Sequence, residues 1–405
     1  MTTNVGNTVS SETTSVSEEY GVVSQQTPLF KITVDGTNFN EKGYSNLVSR
    51  LMVDETMDRI SYAEIIMANF DMDMADDDIF SPKKRMEIST GYLETNYEVR
   101  DVFETQNPLF KVAGSGVIVM RGFSTGIQAT REGRRRVFNG KTHSAIASQI
   151  ASEYEWVPDI DSTILSYPQI MQAGKTDYEM LREFAVLNGL DFYISNDILH
   201  FHGMRENLKP ITKLIYTGPN SMILSGDFTI ESEGRSVSVS ISEFNPLSGD
   251  VFNVNSEDSG KSIINETGSK VTTWQDLAAI RSLFLVDTGQ FLTQDEAKLY
   301  ADGLMNAGRY VVRANFKCLG NELIHPYTII TLDGISRFSG NYFVKRVIHT
   351  IENNVYMCDV EAVRAFIYNP VEQGVLIGAE GFDIPTAGGR RDVTNKSQSA
   401  GTVRS

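Results

Sequence analysis

Cysteine is scarce in this chain of 405 residues, which contains only Cys318 and Cys358. A framework of several disulfides, of the kind that holds small secreted domains together, is therefore excluded. Both cysteines fall on strand faces that are predicted to point inward, where a small apolar thiol is common. We expect two buried, reduced thiols, and a disulfide is the alternative if their strands pair.

Positive charge and long apolar runs are also lacking. The chain has 36 Lys and Arg against 52 Asp and Glu, which gives a formal net charge of -16. This balance disfavours a basic surface for nucleic acid, because phosphate contacts need an excess of Lys and Arg on one face. No apolar run reaches the length of about 18 residues that a membrane-spanning helix needs. The N-terminus also lacks the pattern of a secretory signal, so we expect synthesis and assembly in the host cytoplasm.

Sequence motifs of common enzymes are absent as well. There is no G-x-S-x-G, no H-E-x-x-H and no glycine-rich phosphate loop, and neither cysteine has a histidine at local motif spacing. A pair of catalytic carboxylates stays open, since 52 acidic residues offer many pairs. We predict no catalytic residue, no cofactor-binding residue and no metal ligand, and the protein is not expected to be an enzyme.

Two clusters of charged residues could each bind an ion, but each could also be an ordinary solvated surface. Residues 71–78 begin like a calcium-binding loop, but Ala75, Asp76 and Pro82 stand where the loop needs a ligand, a glycine and an acidic residue. A solvated acidic loop is favoured there. The basic run at residues 134–136 would suit phosphate, although a solvated or inter-subunit strand end is favoured.

His200 and His202 have the same two interpretations. They share one face of a predicted strand, so both rings could reach a single metal ion. No cysteine or carboxylate lies beside them at ligand spacing in the sequence. We therefore favour histidines at a strand edge that pack on a neighbour.

Residues 172–203 contain a helix, the signals for both of its ends, and a hairpin. Thr176 and Glu179 form a capping box, in which each side chain satisfies a backbone N–H of the first turn. Apolar side chains then recur at helical spacing up to Gly189, which ends the helix because glycine adopts a left-handed conformation at little cost. Residues 195–197 predict the turn between two short strands.

Further helices and strands are predicted on the same grounds. A helix follows residues 137–142, and another begins at a second capping box formed by Thr293 and Glu296. Alternating apolar residues predict a half-buried strand that ends at Cys318. The remaining predictions are strands that begin near Phe30, Ile60, Arg85 and Val117, a helix around Trp274 to Leu285, and a meander over residues 329–333, 342–349 and 355–363.

These segments resemble the phage late control protein D family, the baseplate hub proteins of contractile tails, which share a fold with the N-terminal part of type VI secretion spike proteins. The resemblance covers residues 137–202 and 293–366 by motif. The residues that carry it are Gln172, Thr176, Asp177, Leu181, Phe184, Ala185, Gly189, Phe192, Leu199, His200 and Phe201, and then Ser339, Gly340, Asn341, Tyr342, Phe343, Val344 and His349.

The resemblance implies a mainly β (α+β) fold with two tandem, tube-like antiparallel β-barrel domains and a small α/β module between them. We expect a mobile N-terminal segment (1–28), the first barrel (29–136), the module (137–208), the second barrel with its linker and helices (209–369), and a flexible C-terminal tail (370–405). Val375, Leu376 and Ile377 form an apolar island in the polar tail and are the candidate contacts to a spike protein.

The resemblance also implies a function: a structural baseplate hub in the tail of the virion. Such a hub would be a homotrimer whose barrels form a pseudo-six-fold ring that joins the tail tube to the central spike. The expected partners are the tail tube protein, the spike protein, the tape-measure protein and other baseplate proteins, without sequence-specific nucleic acid and without a cofactor. Two alternatives stay open: a tail-associated cell-wall hydrolase, and a spike component of a bacterial secretion system.

Overall fold

The computed structural model describes residues 27–368 apart from 70–72, 94–96, 113–115, 204–207, 219, 231–235, 245–248, 250, 258–269, 274–281, 287–292, 308–309, 311 and 365. Nearly all of the predicted N-terminal segment lies outside these residues, and so does the C-terminal tail with Val375, Leu376 and Ile377. Within the described part, the chain is mainly β with few helices, which confirms the predicted class. None of the described helices is long and apolar enough to cross a membrane.

The elements of the N-terminal part are strands joined by short 3-10 helices. The strands are β1 (Pro28–Val34), β2 (Thr37–Asn38), β3 (Val48–Thr56), β4 (Tyr62–Ala68), β5 (Arg85–Tyr92), β6 (Glu98–Thr105), β7 (Leu109–Lys111) and β8 (Val117–Ser124). The 3-10 helices are Tyr44–Leu47, Asp73–Asp76, Asp78–Phe80 and Thr125–Thr130.

The middle part contains two helices and a second group of strands. In chain order these elements are β9 (Gly133–Thr142), α1 (His143–Glu153), β10 (Val157–Ile160), β11 (Ser166–Thr176), α2 (Asp177–Asn188), β12 (Asp191–Ser195) and β13 (Ile198–His202). We call these elements the α/β module.

The C-terminal part is again mainly strands. Its elements are β14 (Pro210–Ile215), β15 (Ile223–Ile230), β16 (Ser236–Phe244), β17 (Val251–Glu257), β18 (Lys270–Thr273), β19 (Ser282–Val286), α3 (Gln294–Ala307), β20 (Val312–Leu319), β21 (Ile329–Asp333), the 3-10 helix Ser336–Phe338, β22 (Gly340–Glu352), β23 (Val355–Arg364) and β24 (Phe366–Tyr368).

One sheet of 14 strands runs through both of the predicted barrel domains, and we call it the large sheet. Its main path is β15-β20-β23-β22-β3-β4-β8-β6-β5-β1-β2, with β7, β14 and β21 attached at its sides. The N-terminal and C-terminal parts meet where β3 pairs with β22 in antiparallel register, with Val53 opposite His349. Among the described strands this order is an open path and not a closed ring. The two parts are thus joined by backbone hydrogen bonds and not only by side chains.

The core of the large sheet follows the alternation of its strands. In β20, the side chains of Val312, Ala314, Phe316 and Cys318 are buried, which confirms the predicted half-buried strand. Cys318 lies directly opposite Cys358 of β23 in the ladder. Both cysteines are buried free thiols, as the sequence predicts.

The prediction of a helix around Trp274 to Leu285 is wrong for the residues of this segment that the structure describes. Residues 274–281 lie outside the described part, and the following residues form β19, which pairs in parallel with β16. Its Leu-Phe-Leu-Val run has no polar residue to set a period. A short apolar run of this kind fits a strand as well as a helix, so periodicity alone does not distinguish them.

The α/β module has its own small core. The three-stranded sheet β10-β13-β12 packs against α1 and α2, and the core between them includes Ile146, Ile150, Leu181 and Phe201. The capping box of Thr176 and Glu179 begins α2, as predicted.

A glycine pair connects the module to the C-terminal part. Gly189 ends α2 with a left-handed φ of 65°, which confirms the predicted helix end. A Cβ at Gly189 would lie 2.6 Å from the Cα of Gly303 in α3. The two helices therefore touch backbone to backbone, and only glycine allows this approach.

Candidate functional site

A cavity of about 500 Å³ opens where the α/β module meets the large sheet. The side chains that line it are mostly polar or aromatic. They include Glu55 of β3, Glu98 of β6, Tyr193 of β12, His200 of β13, and His325 and Tyr327 from the loop before β21. Three separate segments of the large sheet and the hairpin of the module thus meet at one place.

Arg100 of β6 lies at the centre of a buried polar network beside this cavity. Its side chain is only 1% exposed. One terminal nitrogen donates to the carbonyl of Ile324 at 3.1 Å, and the other donates to the carbonyl of Glu322. The same guanidinium lies 2.9 Å from Nε2 of His349 and 3.1 Å from Nε2 of His325. A buried cation without such partners would cost several kcal/mol, so these contacts fix the loop before β21 against β6.

His349 extends the network into an arrangement that has the elements of a nucleophilic site. Its Nδ1 lies 3.2 Å from Sγ of Cys358, and its Nε2 lies 3.8 Å from the carboxylate of Glu55. The sequence argument found no histidine at local spacing from a cysteine. The structure corrects it, because the turn at Asn353 and Asn354, both with positive φ, places His349 and Cys358 opposite each other.

Burial excludes catalysis by this Cys–His–Glu arrangement. The side chains of Cys358, His349 and Glu55 are 0, 1 and 3% exposed. Burial, together with the charges of Arg100 and His325, holds the pKa of His349 well below its usual range, so the imidazole stays neutral. A reactive thiol needs both access to solvent and a thiolate. We therefore interpret the network as the polar core of the large sheet.

Asp101, the residue after Arg100, connects the large sheet to the module. Its Oδ1 accepts a hydrogen bond of 2.7 Å from the backbone N–H of Asn196, at the tip of the β12–β13 hairpin. Burial raises the pKa of Asp101 to about 7, the N–H of Asn196 lowers it, and the nearby charge of Glu55 raises it further. Ser124 of β8 adds a second connection, because its hydroxyl donates to the carbonyl of Ile194 at 3.1 Å.

Asp159, His200 and His202 form a cluster on the face of the module that meets the large sheet. Asp159 lies opposite His200 because β10 and β13 pair in parallel. Its Oδ2 is 3.1 Å from Nδ1 of His200 and 3.4 Å from Nε2 of His202. The His200 ring stacks on Tyr193 with centroids 4.3 Å apart, and the His202 ring packs edge-on against Tyr327 at 4.8 Å.

This cluster corrects one part of the sequence argument. A carboxylate does lie beside the two histidines, although it comes from a strand about 40 residues earlier in the chain. Among the described residues, this is the group of three His, Cys, Asp or Glu side chains whose ligand atoms lie close enough to hold one ion. The missing signal was the parallel pairing of β10 with β13, which no local pattern reveals.

Two of the three arginines at residues 134–136 form contacts within the chain, and only Arg135 is exposed as expected for a solvated strand end. Arg134 and Arg136 lie on β9 and form ion pairs with Glu153 at the end of α1. Both also reach Asp177 at the start of α2, whose side chain is fully buried, at 3.1 and 2.5 Å. These arginines hold the β9–β11 ribbon on the helices of the module, since Asp177 would otherwise be a buried charge without a counterion.

The acidic segment at residues 71–78 is described from Asp73 onward. Asp77 caps a 3-10 helix by accepting from the N–H of Ile79 at 3.1 Å, and it also accepts from the hydroxyl of Tyr44 at 2.7 Å. Asp78 pairs with Lys84 at 2.6 Å. These contacts account for the positions of the Asp77 and Asp78 carboxylates.

Comparison with known proteins agrees with the fold. The profile of the Alg8 N-terminal domain matches residues 24–353. No curated protein matches the sequence. The tail protein from Neisseria meningitidis MC58 is similar in structure, with a TM-score of 0.62 and 12% identity over 85% of this chain and 98% of that one.

Two prophage proteins show the same likeness. The 43 kDa tail protein of prophage MuSo2 from Shewanella oneidensis has a TM-score of 0.60 and 11% identity, over 84% of this chain and 98% of that one. A prophage tail protein from Listeria monocytogenes EGD-e has a TM-score of 0.53 and 7% identity, over 86% of this chain and 97% of that one. At such identities the likeness concerns the fold alone.

Proposed function

We propose that this chain, which belongs to the Alg8 N-terminal domain family, is a structural protein of a contractile tail and serves there as the baseplate hub. The observation that carries the proposal is the fold. The chain covers 98% of the length of two tail proteins from different bacteria, so the likeness extends over the whole of those proteins. A function that depends on the complete surface of the protein, such as assembly, fits this kind of likeness better than a function that depends on one pocket.

The proposed assembly is a homotrimer with pseudo-six-fold symmetry. In it, the N-terminal and C-terminal parts of the large sheet act as two tube-like barrels in each protomer. The main path of the sheet ends at β2 and β15, so these strands offer edges for pairing between protomers. Exposed apolar side chains include Leu93, directly after β5, and Leu224 in β15. We propose that neighbouring protomers cover them.

The proposed partners follow from the position of a hub. The ring meets the tail tube protein on one face and the spike protein on the other, and its channel accommodates the tape-measure protein. Other baseplate proteins contact its outer surface. Val375, Leu376 and Ile377 remain our candidates for the spike contact, since an apolar island in a polar tail suits docking to another protein. A cell-wall hydrolase finds no support in the Cys–His–Glu arrangement, which is buried.

Co-expression with the tube and spike proteins of the same tail tests this proposal. We expect the full chain to co-purify with both partners. A variant in which Val375, Leu376 and Ile377 are changed to Ser should lose the spike protein and keep the tube protein. Changing Val393, Thr402 and Val403 in the same tail to Ser is the matched control and should keep both. Failure of the full chain to retain either partner would contradict a hub.

A further inference from the structure

We propose that Asp159, His200 and His202 form a binding site for a divalent transition-metal ion of the zinc class, at the contact between the α/β module and the large sheet. This inference does not depend on the proposed function, because it rests on the geometry of three side chains. Carboxylate and imidazole are common zinc ligands, and three protein ligands leave one position for water or another donor.

The distances within the cluster suit one tetrahedral ion. Zinc lies about 2.0–2.1 Å from carboxylate oxygen and imidazole nitrogen, so two ligand atoms of a regular tetrahedron are roughly 3.3 Å apart. Oδ2 of Asp159 lies 3.1 Å from Nδ1 of His200 and 3.4 Å from Nε2 of His202. All three ligand atoms lie within 4.8 Å of one another. The two contacts of Asp159 already match this spacing, and any closure needed is between the two histidine nitrogens.

The surroundings of His202 suit a histidine that ligates an ion. Nδ1 of His202 lies 3.0 Å from the carbonyl oxygen of Gly203, which only accepts hydrogen bonds. The hydroxyl of Tyr327 donates to the same carbonyl at 2.6 Å and lies 3.0 Å from Nδ1. A neutral His202 ring that donates from Nδ1 to this carbonyl presents the lone pair of Nε2 towards Asp159. This is the arrangement that a histidine ligand of a metal ion has.

The contact between Nδ1 of His202 and the carbonyl of Gly203 is typical of a histidine that binds a metal ion. A ligating histidine usually donates its other N–H to a backbone carbonyl or a carboxylate, which fixes the ring and its tautomer. For His202, the acceptor of this hydrogen bond is the carbonyl of Gly203. Since Tyr327 comes from the loop before β21, the ion would connect the module to the large sheet through His202 and Tyr327.

The site is also open enough for an ion to enter. His202 is 1% exposed, but His200 and Asp159 are 18 and 32% exposed. His200 lines the 500 Å³ cavity as well. An ion therefore reaches the site from the cavity, and its fourth ligand is a water or a donor from a bound partner.

Titration of the untagged full chain with Co²⁺ and Zn²⁺, after removal of metal with a chelator, tests the site. We expect one Co²⁺ per chain with the visible absorption of a four-coordinate ion, and displacement of this ion by Zn²⁺ in calorimetry. Asp159→Asn and His200→Gln each remove one ligand and should weaken binding at least ~10-fold. Tyr327→Phe removes only the hydrogen bond from the Tyr327 hydroxyl to the carbonyl of Gly203, and it should weaken binding roughly 10-fold.

Asp197→Asn is the matched control, because Asp197 lies in the same hairpin and pairs with Arg85 away from the cluster. It should bind Co²⁺ as the unchanged chain does. If Asp159→Asn does not fold, as circular dichroism would reveal, His200→Gln decides the question. No saturable Co²⁺ signal would overturn the proposal. So would ligand variants that both bind Co²⁺ as tightly as the unchanged chain does, or thiolate charge-transfer bands from Cys318 or Cys358.

Discussion

The α/β module and the large sheet differ in how far apart in the chain their contacting residues lie. The module is built from neighbouring elements, and its core is a cluster of apolar side chains around two helices. The large sheet joins segments that are far apart in the chain, and charged side chains from these segments pair within it. Arg346 of β22 donates two hydrogen bonds of 2.7 Å to the carboxylate of Asp54 in β3. Arg100 of β6 donates to the carbonyl of Ile324 in the loop before β21. Contacts between neighbouring elements can be inferred from the sequence, whereas ion pairs and hydrogen bonds between distant strands cannot.

The largest predicted effect is the loss of Arg100. Arg100→Ala removes a guanidinium that bonds two carbonyls and faces two histidines, so the buried network loses its centre. We expect the free energy of unfolding to fall by about 3–5 kcal/mol, measured by urea denaturation. Arg121→Ala is the control, since the exposed pair with Glu64 is worth less than about 1 kcal/mol. Equal effects of the two changes would contradict the buried network.

A cavity in the module should have the next largest effect. Leu181 is fully buried between α2 and the three-stranded sheet, so Leu181→Ala removes apolar contacts without disturbing a charge. We expect a loss of about 2–4 kcal/mol in the free energy of unfolding. Hydrogen exchange should rise more in the module than in β3 and β22. A uniform rise throughout the large sheet would show that the two cores do not unfold separately.

The two regions should also respond to pH in opposite directions, and Asp101 reports on the large sheet. Burial raises the pKa of Asp101 from 3.8 to about 7 in the folded chain. Between these values the unfolded chain loses the proton and the folded chain keeps it, so stability falls as the pH rises and levels off above pH 7. Asp101→Asn should remove this part of the pH dependence. Denaturation curves of both proteins from pH 4 to pH 8 measure the difference, and parallel curves would contradict it.

His143 reports on the module. Its ring is stacked between Tyr167 and Phe184, and burial lowers its pKa from 6.5 to about 4. As the pH falls from 6.5 to 4, His143 becomes protonated in the unfolded chain but stays neutral in the folded chain. The folded state therefore loses stability in this pH window. His143→Gln should flatten the loss. Nuclear magnetic resonance titration of the ring checks the pKa directly, and an ordinary value would rule out this effect.

Much of the module could be predicted because its signals are local. Thr176, Glu179 and Gly189 lie within one helix and its ends, and each has one structural meaning. The turn at Asn196 and Asp197, both with positive φ, likewise sets the register of the hairpin.

The large sheet was predicted only as separate strands. Nothing near Glu55 or Arg100 in the sequence indicates that His325 and His349 lie beside them. Two of the strands that position the junction, β3 and β6, were not predicted, and β6 contains two adjacent buried charged residues, Arg100 and Asp101, which no alternating pattern accommodates. The pairing of β10 with β13 was missed for a similar reason. Parallel neighbours are far apart in the chain, so Asp159 could not be assigned to the histidine cluster.

The mass of the purified full chain in solution tests the proposed hub most directly. Native mass spectrometry over a range of concentrations, with and without the spike protein, distinguishes a trimer from a monomer. We expect a mass of three chains of 45.0 kDa each, alone or once the spike protein is added. A chain that stays monomeric at the highest concentration and with the spike protein present would contradict the ring.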